Sequence, residues 1–100
     1  MFITIKRARS FTGLMEDIAD LDTSRLAPAM ADQIETMVHS VRFFDLPVAV
    51  SGRGTSPDTQ HYEITVAQAG QQHTITFDDD GTEMTAPLHT FVQTLSQISL

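Results

Sequence analysis

The chain has 100 residues, 41% of them hydrophobic, and a formal net charge of −7, enough for one domain with a modest core and no second one. It has no cysteine, which excludes disulfides, thiolate metal sites and cysteine nucleophiles. The acidic balance argues against nucleic acid, whose affinity rests on neutralising phosphates with Lys and Arg.

The opening stretch MFITIKRARS lacks the apolar core of a secretion signal. No run approaches the roughly 20 residues of a membrane span, so no membrane is expected and the expected compartment is the cytoplasm. Residues 2–7, FITIKR, alternate: Ile3 and Ile5 fall on one face and Phe2, Thr4 and Lys6 on the other, which reads as a strand. The basic cluster at its end, Lys6, Arg7 and Arg9, reads as solvated surface. Gly13 then marks a turn crowded by Phe11, Leu14 and Met15, large apolar side chains where turns usually carry polar ones. Residues 14–21, LMEDIADL, put Met15, Ala19 and Leu21 in phase and read as the second arm of a hairpin.

From Pro28 to Phe44 the spacing of Met30, Ile34, Met37, Val38 and Val41 is helical, with Asp32, Glu35, His39 and Arg42 facing away. Pro28 suits a first helical turn, and Pro47 disfavours helix in the residue ahead of it. SGRGTSPDTQ, residues 51–60, carries two glycines, a proline and almost nothing apolar, and reads as a surface loop. A second hairpin follows, with Tyr62, Ile64 and Val66 on one arm, a turn at 69–72 and Ile75 and Phe77 on the returning arm. Leu88, Phe91, Val92, Leu95 and Ile98 mark a second amphipathic helix, with Pro87 near its start.

The order strand, strand, helix, strand, strand, helix predicts an α+β domain spanning 1–100. Two β-hairpins form an antiparallel four-stranded sheet with both helices on one face. If each element reverses direction, the 8–13 turn, the 45–60 loop and the 78–86 loop gather at one end. The 22–27 connection and the 69–72 turn lie at the other. Loops on a rigid scaffold are where binding sites tend to sit.

Catalytic chemistry finds little support. The four histidines, His39, His61, His73 and His89, lie on four elements with no helical metal spacing; His61 and His73 read as a cross-strand surface pair. DDDG at 78–81 set on a calcium-loop template would need Thr76 and Pro87 as ligands, so it reads as an acidic turn. No serine sits on a strand–turn–helix elbow, and the GRG of 52–54 precedes a strand rather than a helix. A non-enzymatic binding module with no cofactor and no metal of its own is expected.

Several short motifs follow one another along the chain: FxG (Phe11, Gly13), LDT (Leu21, Asp22, Thr23), FFxLP (Phe43, Phe44, Leu46, Pro47), PDxxxYxITV (Pro57, Asp58, Tyr62, Ile64, Thr65, Val66) and HTI (His73, Thr74, Ile75). In this order and spacing the chain resembles the emfourin family, small bacterial inhibitors of thermolysin-like (protealysin-type) metalloproteases. It departs from the family at Arg9 and Ser10, where members often carry Gly-Gly. The resemblance implies a monomeric, stoichiometric inhibitor that enters the cleft of a zinc protease with an apolar anchor and a metal-directed carboxylate. The apolar candidates are Phe11, Leu14 and Met15. The carboxylate candidates are Asp58, then Asp80, then Asp22, whose alternative role is to cap the approach to the first helix. Pattern alone favours folding the 8–17 stretch onto the core; the resemblance turns Leu14 and Met15 outward and leaves Phe11 open. Phe43, Phe44 and Leu46 are expected to plug the core, and Tyr62 to join it with its hydroxyl at the edge. The competing reading is an acidic adaptor domain that docks on a basic protein; a hydrolase with dispersed His and Asp is a third.

Overall fold

The computed structural model of the chain describes residues 1–8, 15–50, 60–79, 82–83 and 85–99. The elements are β1 (Phe2–Ala8), β2 (Met15–Asp22), α1 (Pro28–Ser40), β3 (Ala49–Val50), β4 (Gln60–Gln68), β5 (Gln71–Asp79) and α2 (Ala86–Ser99). Short 3-10 turns at Thr23–Arg25 and Phe43–Asp45 flank α1. The strands form one five-stranded sheet in the order β2-β1-β4-β5-β3.

The mixed α+β architecture agrees with the alternating patterns, and two features correct the expected four-stranded antiparallel sheet and its ββαββα order. A fifth strand, β3, runs parallel to β5, with Ala49 beside Thr76 and Val50 beside Phe77. Two residues carry no readable period; β3 exists because the chain leaving α1 is tied to the edge of β5. The Thr76 amide donates to the Val48 carbonyl (2.8 Å), and His73 Nε2 donates to the Leu46 carbonyl (2.7 Å). So the first part of the 45–60 segment climbs along β5 rather than looping at one end.

α1 also ends at Ser40 rather than Phe44. Arg42 takes a left-handed backbone, φ 52°, which breaks the helix. The reason is burial: nine residues at ~100° each would turn Phe43 roughly 180° away from Ile34 on a continued helix. The break instead drives Phe43 into the core, 1% exposed, stacked on Phe91 (centroids 6.4 Å apart, 20° between planes) and edge-on to His73. Phe44 and Leu46 pack against the same core.

The hairpin β1–β2 carries a bulge. Ile5 pairs with Ala19 but Lys6 pairs with Asp17, so Ile18 is the extra residue. The bulge breaks the strict alternation that put Met15 in phase with Ala19 and Leu21; Glu16, opposite Arg7, takes up that phase. In the second hairpin the turn is Ala69–Gly70 alone, with φ of 43° and 85°, the sign pattern of a type I′ turn that matches strand twist. Gln68 therefore pairs with Gln71, two positions off the register a 69–72 turn would set. A shift of two preserves which face each residue occupies. Ile64, Val66, Ile75 and Phe77 are buried as the alternation requires, but their neighbours across the ladder change: His61 faces Asp78 and His73 faces Val66. The expected His61–His73 pair does not form.

Ile3, Ile5, Ala19 and Leu21 of the first hairpin join Ile34 and Val38 of α1 and Leu88, Phe91, Val92 and Leu95 of α2 in one buried cluster. The opposite face of the sheet carries Thr4, Lys6, Thr65 and Thr74, all half-exposed, with a hydroxyl pair between Thr65 and Thr74 (2.9 Å). Among the described residues no helix is long and apolar enough to cross a membrane.

Candidate functional site

The ladder gathers the ends of β1, β3 and β5 and the starts of β2 and β4 at the same end of the sheet. Ala8 lies opposite both Met15 and His61, Gln60 lies opposite Asp79, and Val50 runs beside Phe77 in the direction of β5. The segments 9–14, 51–59 and 80–81 therefore all depart from this end. The other end is closed by the Ala69–Gly70 turn and by the Asp22 connection, where Thr23 N–H donates to the Met1 carbonyl (3.0 Å).

Of the sequence-predicted site residues, Phe11, Leu14, Asp58 and Asp80 lie outside the described residues, as does the side chain of Met15. Met15 is the first residue of β2, at the open end. Asp22 is the last residue of that strand, seven steps and about 23 Å from Met15 at strand rise. Its carboxylate accepts from the Ser24 amide (3.0 Å) and hydroxyl (2.7 Å), with Arg25 3.7 Å away. These hydrogen bonds from Ser24 hold its pKa below the ordinary value. Asp22 thus caps the 3-10 turn leading to α1.

The structure brings together at the open end a set of side chains that look like ordinary surface in the sequence. On the helix-facing side, Arg7 donates to Glu16 (2.5 Å), each about a third exposed. That bond, reinforced by Tyr62 and opposed by burial, raises the arginine pKa and keeps the guanidinium charged. Tyr62 in turn stacks on Phe77 (centroids 5.2 Å apart). Arg7 is therefore an integral part of the last inner row, not the solvated cation the cluster suggested. On the outer face His61 Nδ1 donates to Asp78 (2.5 Å). On the helix side His89, in the first turns of α2, donates from Nδ1 to Asp79 (2.6 Å). Asp79, Thr82, Thr85, Ala86 and His89 line a depression of about 190 Å³.

The signal that could have located the His61–Asp78 pair was the hairpin register. A two-residue Ala-Gly turn implies His61 opposite Asp78, whereas the four-residue turn implied Asp80. No pattern in the sequence could have paired His89 with Asp79, since that contact depends on where α2 docks. Among the described residues no group of three or more His, Asp or Glu side chains could hold a metal ion. What this end offers is a rim of paired polar side chains where three segments leave the sheet.

A family model described as Emfourin matches residues 10–96 of the chain. Neither the curated proteins nor the solved structures contain a match to it.

Proposed function

The chain belongs to the emfourin family, which suggests a protease-inhibitor function, and from that premise we propose that it is a monomeric 1:1 inhibitor of thermolysin-like zinc metalloproteases. The observation that carries the proposal is the family match over residues 10–96. The geometry supports it, because an inhibitor needs several contact segments held side by side on one rigid edge, and 9–14, 51–59 and 80–81 depart from one end of the sheet.

The proposed chemistry follows from the target. A catalytic zinc has three protein ligands and a position for water, beside an apolar pocket. A carboxylate of the inhibitor that displaces the water gains from the metal's charge in a dry cleft. Leu14 and Met15, with Phe11, are the proposed apolar anchors, each contributing ~1.5–3 kcal/mol when buried in the complex. Asp58 is the first choice for the metal-directed carboxylate and Asp80 the second. Asp22 ranks last, since it lies at the closed end and already caps a turn.

Titration of a thermolysin-like enzyme is expected to abolish activity near equimolar inhibitor; undiminished activity at excess inhibitor sinks the proposal. Within it, Asp58→Ala is expected to weaken inhibition strongly while leaving thermal unfolding unchanged. Full potency in Asp58→Ala with loss in Asp80→Ala transfers the role to Asp80. The acidic-adaptor reading predicts the opposite pattern, binding that collapses with salt and ignores truncation of Leu14 or Met15.

A further inference from the structure

Asp78 and Asp79 are consecutive on β5, so their side chains leave opposite faces of the sheet. Each is taken by a histidine from a different neighbour. His61 on β4 holds Asp78 on the outer face (2.5 Å), and His89 on α2 holds Asp79 on the helix side (2.6 Å). The second pair joins the last residue of β5 to the first turn of α2. Just before the helix the Thr85 amide donates to the Thr82 carbonyl (3.3 Å), and the His89 N–H opens the helical ladder of α2 on the Thr85 carbonyl (2.9 Å). The first pair sits beside Gln60, where the 51–59 segment rejoins the sheet opposite Asp79.

The His61–Asp78 pair is poorly placed to stabilise the fold. The side chains of His61 and Asp78 are 54% and 39% exposed, and exposed polar pairs contribute little to stability; in the second pair His89 is 44% exposed and Asp79 15%. Among the described residues, the ion pairs Arg7–Glu16, His61–Asp78 and His89–Asp79 all lie at the end where the segments depart, against Asp22–Arg25 at the closed end. Restraining the base of a contact segment before encounter lowers the ordering cost that binding must otherwise meet.

We propose that His61, Asp78, Asp79 and His89 are positioning residues of the inhibitory end: a two-sided clamp that fixes the end of β5 against β4 on one face and against the first turn of α2 on the other, and so holds this rim in the geometry in which it meets the protease. The proposal rests on the inhibitor reading above and adds to it the residues that preorganise the contact surface without touching the target's metal.

The test compares wild type with His61→Ala, His89→Ala, the double variant, and His61→Asn and His89→Asn, which keep an N–H donor at a similar reach. Three quantities are read: Tm, backbone amide order over residues 78–88 by NMR relaxation, and the inhibition constant with its dissociation rate on a thermolysin-like protease. Tm is expected to stay within about 2 °C in the His61 variants, whose pair is exposed, and to fall further in His89→Ala, which takes a donor from the largely buried Asp79 carboxylate. Amide order over 82–88 is expected to fall in His89→Ala, with inhibition weakened about tenfold through faster dissociation and less than that in His61→Ala. The Asn variants are expected to recover both order and affinity, which a general loss of stability would not allow. Unchanged order and unchanged inhibition in the double variant overturn the clamp. A wild type that titrates no thermolysin-like enzyme, while the Ala variants still lose order, overturns the inhibitor reading and leaves the clamp standing.

Discussion

At the closed end of the sheet β4 and β5 are joined by two residues, Ala69 and Gly70, and Phe43 is wedged nearby against His73 and Phe91. At the open end the same strands are tied by His61–Asp78, β5 is tied to α2 by Asp79–His89 and, one strand across, β1 to β2 by Arg7–Glu16. The first end is held by backbone conformation and buried apolar contact, the second by polar side-chain pairs that remain partly in water. Packing is energetically decisive but has no free surface to offer, whereas a rim of partly exposed polar pairs gives up stability and keeps donors, acceptors and chain exits accessible. The contrast separates the part of the molecule that keeps it folded from the part proposed to meet a partner.

The contrast is broken most directly at Phe43. Phe43→Ala is expected to cost about 3–5 kcal/mol in denaturant unfolding, the range for a fully buried phenylalanine; a loss below ~1 kcal/mol would show that the aromatic stack is not what holds this end. Next comes the turn. Gly70 has φ 85°, and a methyl group added there would meet no atom within 4 Å, so Gly70→Ala is expected to lose about 1 kcal/mol through backbone strain alone. Ala69→Asn, better suited to a positive φ, is expected to gain up to about 1 kcal/mol. At the open end Arg7→Met is expected to change stability by less than ~1 kcal/mol, and by less again in 1 M salt. A larger, salt-insensitive loss would mean that the Arg7–Glu16 row is part of the packed core. The smallest effect is at Asp22, whose pKa is lowered in the folded chain by its bonds to Ser24. Its contribution is present above the ordinary aspartate value and is lost as pH falls through the lower folded value. Asp22→Asn should therefore flatten part of the acid limb of a Tm-against-pH curve, leaving the neutral region nearly unchanged.

Much of the scaffold was legible in local pattern. The alternation of Ile3 and Ile5, of Ile64 and Val66, and of Ile75 and Phe77 named the buried face of three strands, and all six are buried. The spacing of Leu88, Phe91, Val92 and Leu95 named the buried face of α2 in the same way. These succeed because a strand or helix that buries one face imposes a period of 2 or 3.6 on its own residues. The end of α1 was not legible, because Phe43 is buried by leaving the helix, which periodicity reads as continuation. The candidate site was legible at the level of which segments share an end, since reversal of direction follows from element order. Its rim was not: Arg7, His61 and His89 look like dispersed surface charges until a register and a docked helix give them partners.

The sequence alone determined the element types, their inward faces, the absence of cysteine chemistry and, through an ordered set of short motifs, the family. Only the tertiary structure decided that β3 joins the sheet as a parallel edge, that Ile18 bulges out of β2, and that Asp78 and Asp79 are each held by a histidine. The physical reason is range. Propensity and periodicity act between residues a few positions apart, while His61–Asp78 spans 17 positions and His73–Leu46 spans 27. Contacts at that separation are set by how whole elements pack, and no local stretch of residues encodes them.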